Sequence, residues 1–192
     1  VGLLASRSVH LSKIANKIPG KAKRRSRTRQ LERFVDNKHI RVRRWYEPIA
    51  RSLLAQAAKQ QEWVRLIIDC SKIGNGHQLC MVALAYRRRA LPIAWTWVRI
   101  KRGHSSGHKQ QALLAYIHQL MPAEAQVVVT GDSEFTPLQA VLEEWNWFYA
   151  LRQKGSHLIR ESESTSWQLC NTVITKPGQK RWLMDIHLTK KY

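Results

Sequence analysis

From about residue 63 the chain alternates between short apolar runs and apolar stripes at helical spacing. Val64-Arg65-Leu66-Ile67-Ile68 is brief, rich in β-branched residues and ends on Asp69, the pattern of a buried strand. Residues 78–86 and 91–100 read as two further strands, joined through residues 87–90 into an antiparallel hairpin. Pro92 cannot donate to a sheet ladder, so the second arm is predicted to be an edge strand. A helix follows, capped by Ser105 or Ser106, with Leu113, Leu114, Ile117, Leu120 and Met121 on one stripe and Pro122 as its stop. Residues 126–130 form a second buried run that ends at Gly131-Asp132. Thr136-Pro137-Leu138-Gln139 reads as a capping-box helix start, and Leu138, Val141, Leu142 and Trp145 as that helix's inward face. Residues 147–152 are one more strand, and residues 167–192 alternate around Pro177-Gly178 as a β-hairpin would. This order predicts an α/β fold, a mixed sheet with helices on its faces.

Residues 1–62 read as helical. Leu31, Phe34 and Val35 mark one helix, and Glu47-Pro48 followed by Ile49, Leu53, Leu54 and Ala57 marks another with Pro at its first position. No internal repeat or extended low-complexity segment is visible. The chain starts on Val1 and ends on Tyr192 inside an apparent strand, so both ends read as cut.

Composition sharpens this picture. The chain has 192 residues, of which 44% are hydrophobic, enough for a packed core and against general disorder. Its formal charge is +20, which points to a polyanionic partner: nucleic acid first, an anionic membrane surface second. Residues 1–51 hold fifteen Lys and Arg against Glu32, Asp36 and Glu47, and so carry +12 of that charge. The densest run holds Lys21, Lys23, Arg24, Arg25, Arg27 and Arg29, which is read either as a solvated arm or as a phosphate-contacting one. Eight Trp is high for this length; core filling is the default role for each, and stacking on unpaired bases the alternative.

No apolar run approaches the ~20 residues of a membrane span, and no signal peptide is visible. Cys70, Cys80 and Cys170 are odd in number and lack a CxxC spacing. That argues against a disulfide framework and a Cys-based zinc site, and it suits a reducing cytoplasm.

Asp69 and Asp132 each end a buried apolar run, which is where ligand sites form in open α/β sheets. If the two strands are neighbours, the carboxylates oppose each other unless one is protonated or a cation lies between them. Mg²⁺ favours such oxygens and keeps positions open for water and phosphate. The plainer alternative is that each Asp is a strand-end turn or cap residue.

Residues 33–40, 66–72, 84–94, 131–135 and 148–154, in this order, together resemble motifs of bacterial insertion-sequence transposases of the DDE class, the IS-four group. Arg33-Phe34-Val35-Asp36-Asn37-Lys38-His39-Ile40 is similar to the "RF–N–I" motif of that group. Residues 66–72 resemble the strand with the first catalytic Asp, and residues 84–94 the second and third strands. Gly131-Asp132-Ser133-Glu134-Phe135 is similar to the surroundings of the second catalytic Asp, and residues 148–154 to the next strand with its basic end. The resemblance covers roughly residues 30–160 and implies a ribonuclease-H-like core over 63–154. A basic helical DNA-binding region over 1–62 would precede it, and the start of a β-rich insertion over 155–192 would follow.

The same resemblance implies Asp69 and Asp132 as catalytic ligands of Mg²⁺ or Mn²⁺, and double-stranded DNA (element ends and target) as the partner. Lys23, Arg24, Arg25, Arg27, Arg29, Arg152 and Lys154 would touch that DNA. A homodimer is only what the family suggests. The implied location is the bacterial cytoplasm, on DNA and off the membrane.

One departure stands out. The family's third acid is the Glu of Y-x2-R-x3-E-x6-K; Tyr149 and Arg152 keep the spacing, but Ser156 holds the Glu position. Only Glu161, Glu163 and Asp185 follow, so the Glu-bearing helix is expected beyond Tyr192. Three readings result: a truncated DDE transposase, a catalytically dead DNA-binding remnant or repressor, and a related nuclease. His104 and His108 are four apart but flanked by Gly103 and Gly107, which weakens a metal-binding helix there. Gly74-Asn75-Gly76 is too short for a phosphate loop and reads as a turn, and Arg87–Arg89 as a solvated one. No nucleophile triad is recognisable.

Overall fold

The computed structural model describes residues 1–74, 76–99, 106–161, 165–173, 176, 178–184 and 186–189. The sequence readings at Asn75, His104, Ser105, Glu163, Pro177 and Asp185 lie outside the described residues. The chain divides into two compact units, Val1–Glu47 and Pro48–Tyr192.

The first unit packs three helices, α1 (Gly2–Ser6), α2 (Leu11–Lys17) and α3 (Arg24–Val35), around a minimal core of Gly2, Ile14 and Ala15. A Cβ on Gly2 would stand 2.7 Å from Ile18 Cγ1, so only glycine lets α1 approach this closely. No residue of α3 is buried, as its arginine content requires.

Helix α4 (Val42–Gln60) begins five residues before Glu47-Pro48. Pro48 therefore sits inside the helix and not at its first position, donating nothing to the ladder. The division between units falls at this residue.

In the second unit the strands are β1 (Val64–Lys72), β2 (His77–Tyr86), β3 (Arg89–Arg99), β4 (Val127–Gly131) and β5 (Phe148–Leu151). They form one sheet in the order β3-β2-β1-β4-β5. β2 runs antiparallel to both of its neighbours, β1 and β3, while β4 is parallel to both β1 and β5. This is a mixed sheet, as the sequence predicts. Pro92 lies on edge strand β3, as its missing N–H predicts, beside a bulge that leaves Ile93 unpaired. The β2–β3 turn is only Arg87-Arg88, both at positive φ (43° and 63°), with Arg89 already in the strand. Gly74 and Gly76, at φ 64° and 76°, turn β1 into β2.

Helix α5 (Gly107–Leu120) follows Ser106, which gives no side-chain cap. A 3₁₀ helix over Ser133–Leu138 leads into α6 (Gln139–Glu144). The helical segment thus starts at Ser133, capped by Asp132, and not at Thr136, whose hydroxyl donates to the Ser133 carbonyl at 2.9 Å. Leu54, Leu66, Ile68, Leu84, Leu113, Ile117, Phe135 and Leu142 form the core. Along β1, buried Val64, Leu66 and Ile68 alternate with exposed Arg65, Ile67 and Asp69. One face of the sheet is therefore sealed, while on the other Ile67, Trp97 and Phe148 stay exposed. The sheet is mixed and flanked by helices, as the sequence predicts.

A second sheet, ordered β7-β6-β8, comprises β6 (Leu158–Arg160), β7 (Gln168–Leu169) and β8 (His187–Thr189), with α7 (Cys170–Val173) after β7. Among the described residues of 167–192, β7 and β8 each pair with β6 and not with each other, where the sequence reading expects a hairpin around Pro177-Gly178. Trp147 is 7% exposed, but Trp45, Trp97, Trp167 and Trp182 are exposed, so the core-filling default fails for those four. No described helix is long and apolar enough to cross a membrane.

At Gly131 a Cβ would stand 2.8 Å from Ile68 Cγ2 and 2.9 Å from Phe135 Cδ2. Gly131→Ala should destabilise the chain by about 1–3 kcal/mol, since a packed core yields poorly to added volume. Urea denaturation with an unchanged midpoint would contradict that crowding.

Candidate functional site

The parallel β1–β4 ladder runs from Val64↔Val127 to Ile68↔Gly131. Asp69 and Asp132 are the next residues on the two strands. Asp132 keeps extended backbone (φ −79°, ψ 177°), so it continues the alternation of β4 past its last rung. Parallel strands stand roughly 4.8 Å apart, and in-register side chains share a face. The two carboxylates therefore emerge side by side on the unsealed face. Asp69 lies inside β1, which continues to Lys72 on its pairing with β2 alone. It does not end the strand; it is the first residue beyond the part that β4 supports.

Each acid has a modest set of partners. Asp132 Oδ1 accepts the Ser133 N–H at 2.7 Å and faces Arg152 Nη1 at 3.9 Å. That ion pair is exposed, at 59% and 79% side-chain accessibility, so it adds little stability. Asp69 Oδ2 accepts a long 3.5 Å contact from the Ser71 hydroxyl. Arg152 is brought here because β5 continues the sheet and its N–H donates to the Gly131 carbonyl at 3.1 Å. Asp132 caps the 3₁₀ helix through Oδ1, as the plainer alternative expects, while Oδ2 has no partner among the described residues.

Two adjacent carboxylates with open positions suit Mg²⁺ or Mn²⁺, which bind through one or two carboxylates and complete their shell with water or phosphate oxygens. Among the described residues no group of three His, Cys, Asp or Glu side chains converges on one point. Glu161 does not join the pair; its carboxylate is bound 2.7 Å from Arg181 Nη2.

Of the basic candidates, Lys23, Arg24, Arg25 and Arg29 are exposed at the start of α3. Arg27 is different: it is half-buried, and its Nη1 donates to the Ile18 carbonyl. It is a structural tie within the first unit. Lys154 is exposed in the turn after β5, where its carbonyl accepts the His157 N–H at 2.9 Å. His108 is exposed on α5.

Sequence reasoning missed two features. Cys70 and Cys80 form a disulfide, contrary to the expectation from cysteine count and spacing. The signal lay in the β1–β2 register, which sets these residues opposite each other. The second feature is a cavity of about 650 Å³ lined by Glu143, Tyr149, Gln153, His157 and His187 among others, with neither aspartate in its lining. There the Tyr149 hydroxyl donates to Glu143 Oε1 at 2.5 Å.

No protein-family model matches the chain. No curated protein matches it either. Among solved structures it is similar to a Mos1 transposase catalytic domain with raltegravir and Mn, at 15% identity and a TM-score of 0.32, over 68% of this chain and 62% of that one. It is also similar to the catalytic domain of Mos1 mariner transposase, at 16% identity and a TM-score of 0.31, over 69% of this chain and 63% of that one. The chain thus spans less than two thirds of either structure, and the functional reading rests on its own residues.

Burial and the Glu143 hydrogen bond push the Tyr149 phenol up to about 12 from an ordinary 10.0. The folded chain then holds this proton where the unfolded chain has lost it. Stability contributed by the pair is present below pH 10 and falls as pH rises toward 12. Ultraviolet titration should show one late phenol that Tyr149→Phe removes. A titration in which all tyrosines ionise together near 10 would refute the pairing.

Proposed function

We propose that this chain is the two-aspartate core of a DDE-type transposase, with a basic helical region that binds duplex DNA. The observation that carries the reading is that Asp69 and Asp132 are both exposed one rung beyond the β1–β4 ladder, with Asp132 beside Arg152. The collinear motifs over residues 30–160 support the IS-four group as the finer assignment.

In this reading Asp69 and Asp132 hold Mg²⁺ or Mn²⁺. A bound ion of this kind polarises phosphoryl oxygens and makes an attacking oxygen available at neutral pH. Arg152 and Lys154 steady the phosphate backbone near the acids. Lys23, Arg24, Arg25 and Arg29 contribute sequence-independent affinity by neutralising phosphates. Arg152 also limits repulsion between the carboxylates when no cation is shared.

The described residues supply two acids where the family uses three, so the 192-residue chain binds DNA and divalent cation but does not cut. The engagement of Glu161 by Arg181 favours this two-acid state, and with it a second reading as a DNA-binding remnant or repressor.

Calorimetry should show Mn²⁺ binding that Asp69→Asn and Asp132→Asn each abolish, with the fold retained by circular dichroism. Magnesium-dependent nicking by the purified chain, lost in Asp69→Asn, would overturn the two-acid account. Replacing Lys23, Arg24, Arg25 and Arg29 by Ala should flatten the salt dependence of DNA binding by about three to four in logarithmic slope. An unchanged slope would remove these residues from the interface.

A further inference from the structure

We propose that Cys70 and Cys80 are a reversible thiol–disulfide site that controls cation binding at Asp69. The inference rests on the two-aspartate reading above. From Leu66 to Ile68, β1 is held on both sides, by β2 and by β4. From Asp69 onward the backbone ladder to β2 is its only strand pairing. The first rung after Asp69 is Cys70↔Cys80, the covalent one. The bond spans ten residues and ties the β1 carboxyl end to β2 where β4 no longer supports it. A rigid support next to a ligand keeps the ligand's orientation fixed, and loss of such support weakens metal binding.

The two sulfurs differ in access. Cys80 is fully buried, while Cys70 is half-exposed. A reducing thiol therefore attacks the Cys70 sulfur, and the Cys80 thiolate leaves. A second thiolate of the reductant then resolves the mixed disulfide. Two electrons pass from the reductant to the cysteine pair, and two protons end on Cys70 and Cys80. Re-oxidation by glutathione disulfide reverses this, releasing two glutathione thiols. Cys170 lies outside the pair and is free in the structure.

The experiment uses the full 192-residue chain, with Mn²⁺ alone as the probe. After glutathione disulfide, thiol counting in denaturant should find one free thiol; after dithiothreitol and its removal, three. Calorimetry should show Mn²⁺ affinity about tenfold weaker in the reduced chain, the scale of losing a supporting contact beside a ligand. Cys70→Ser and Cys80→Ser should both bind like the reduced chain and respond to neither reagent. Cys70→Ser keeps the test valid if the buried Cys80 position does not accept Ser.

Three thiols after oxidation would overturn the proposal. So would equal Mn²⁺ affinity in both redox states; if Asp69→Asn still abolished that binding, the metal site would stand and only the switch would fall. Absence of Mn²⁺ binding in either state would remove both.

Discussion

The parallel pairing of β1 with β4 is the constraint on which the rest depends. Its five rungs bury Val64, Leu66 and Ile68 on one side and turn Arg65 and Ile67 to the other. A slip of one residue would exchange these sets and drive an arginine into the core. Two details hold the register. Gly131 at the last rung has no room for a side chain between Ile68, Phe135 and Leu151. Thr130 reaches across from the other face to donate to the Leu66 carbonyl at 3.1 Å. With this register fixed, the next residue on both strands is an aspartate.

The chemistry follows from where support stops. Beyond Gly131 the chain leaves the sheet for the 3₁₀ helix, and Asp132 spends one oxygen on capping it. Beyond Ile68, β1 continues with β2 alone. The carboxylates thus stand where the sheet loses its central pairing and where water and phosphate can reach. The same face carries exposed Ile67 and Phe148, so apolar and acidic groups share one surface.

Much of this was legible in the residues because local patterns report local structure. The apolar runs at 64–68 and 126–130 marked the two central strands, and Pro92 marked an edge. What the sequence concealed were relations between segments. The Cys70–Cys80 bond is a fact about strand register, invisible to counting cysteines. Arg27 looked like its neighbours in a basic run, but its guanidinium is occupied by the Ile18 carbonyl. Thr136-Pro137 had the chemistry of a helix start, yet Asp132 competes better because strand β4 ends there. The central role of β6, between β7 and β8, was hidden because each of these strands is only two or three residues long.

The central claim is that two aspartates distant in sequence share one divalent cation. Paramagnetic broadening by Mn²⁺ in the isotopically labelled chain tests it most directly. Substoichiometric Mn²⁺ should broaden the amide resonances around residues 69 and 132 together, and Asp69→Asn should remove the effect at both. Broadening centred elsewhere, or at one of the two segments alone, would contradict the account.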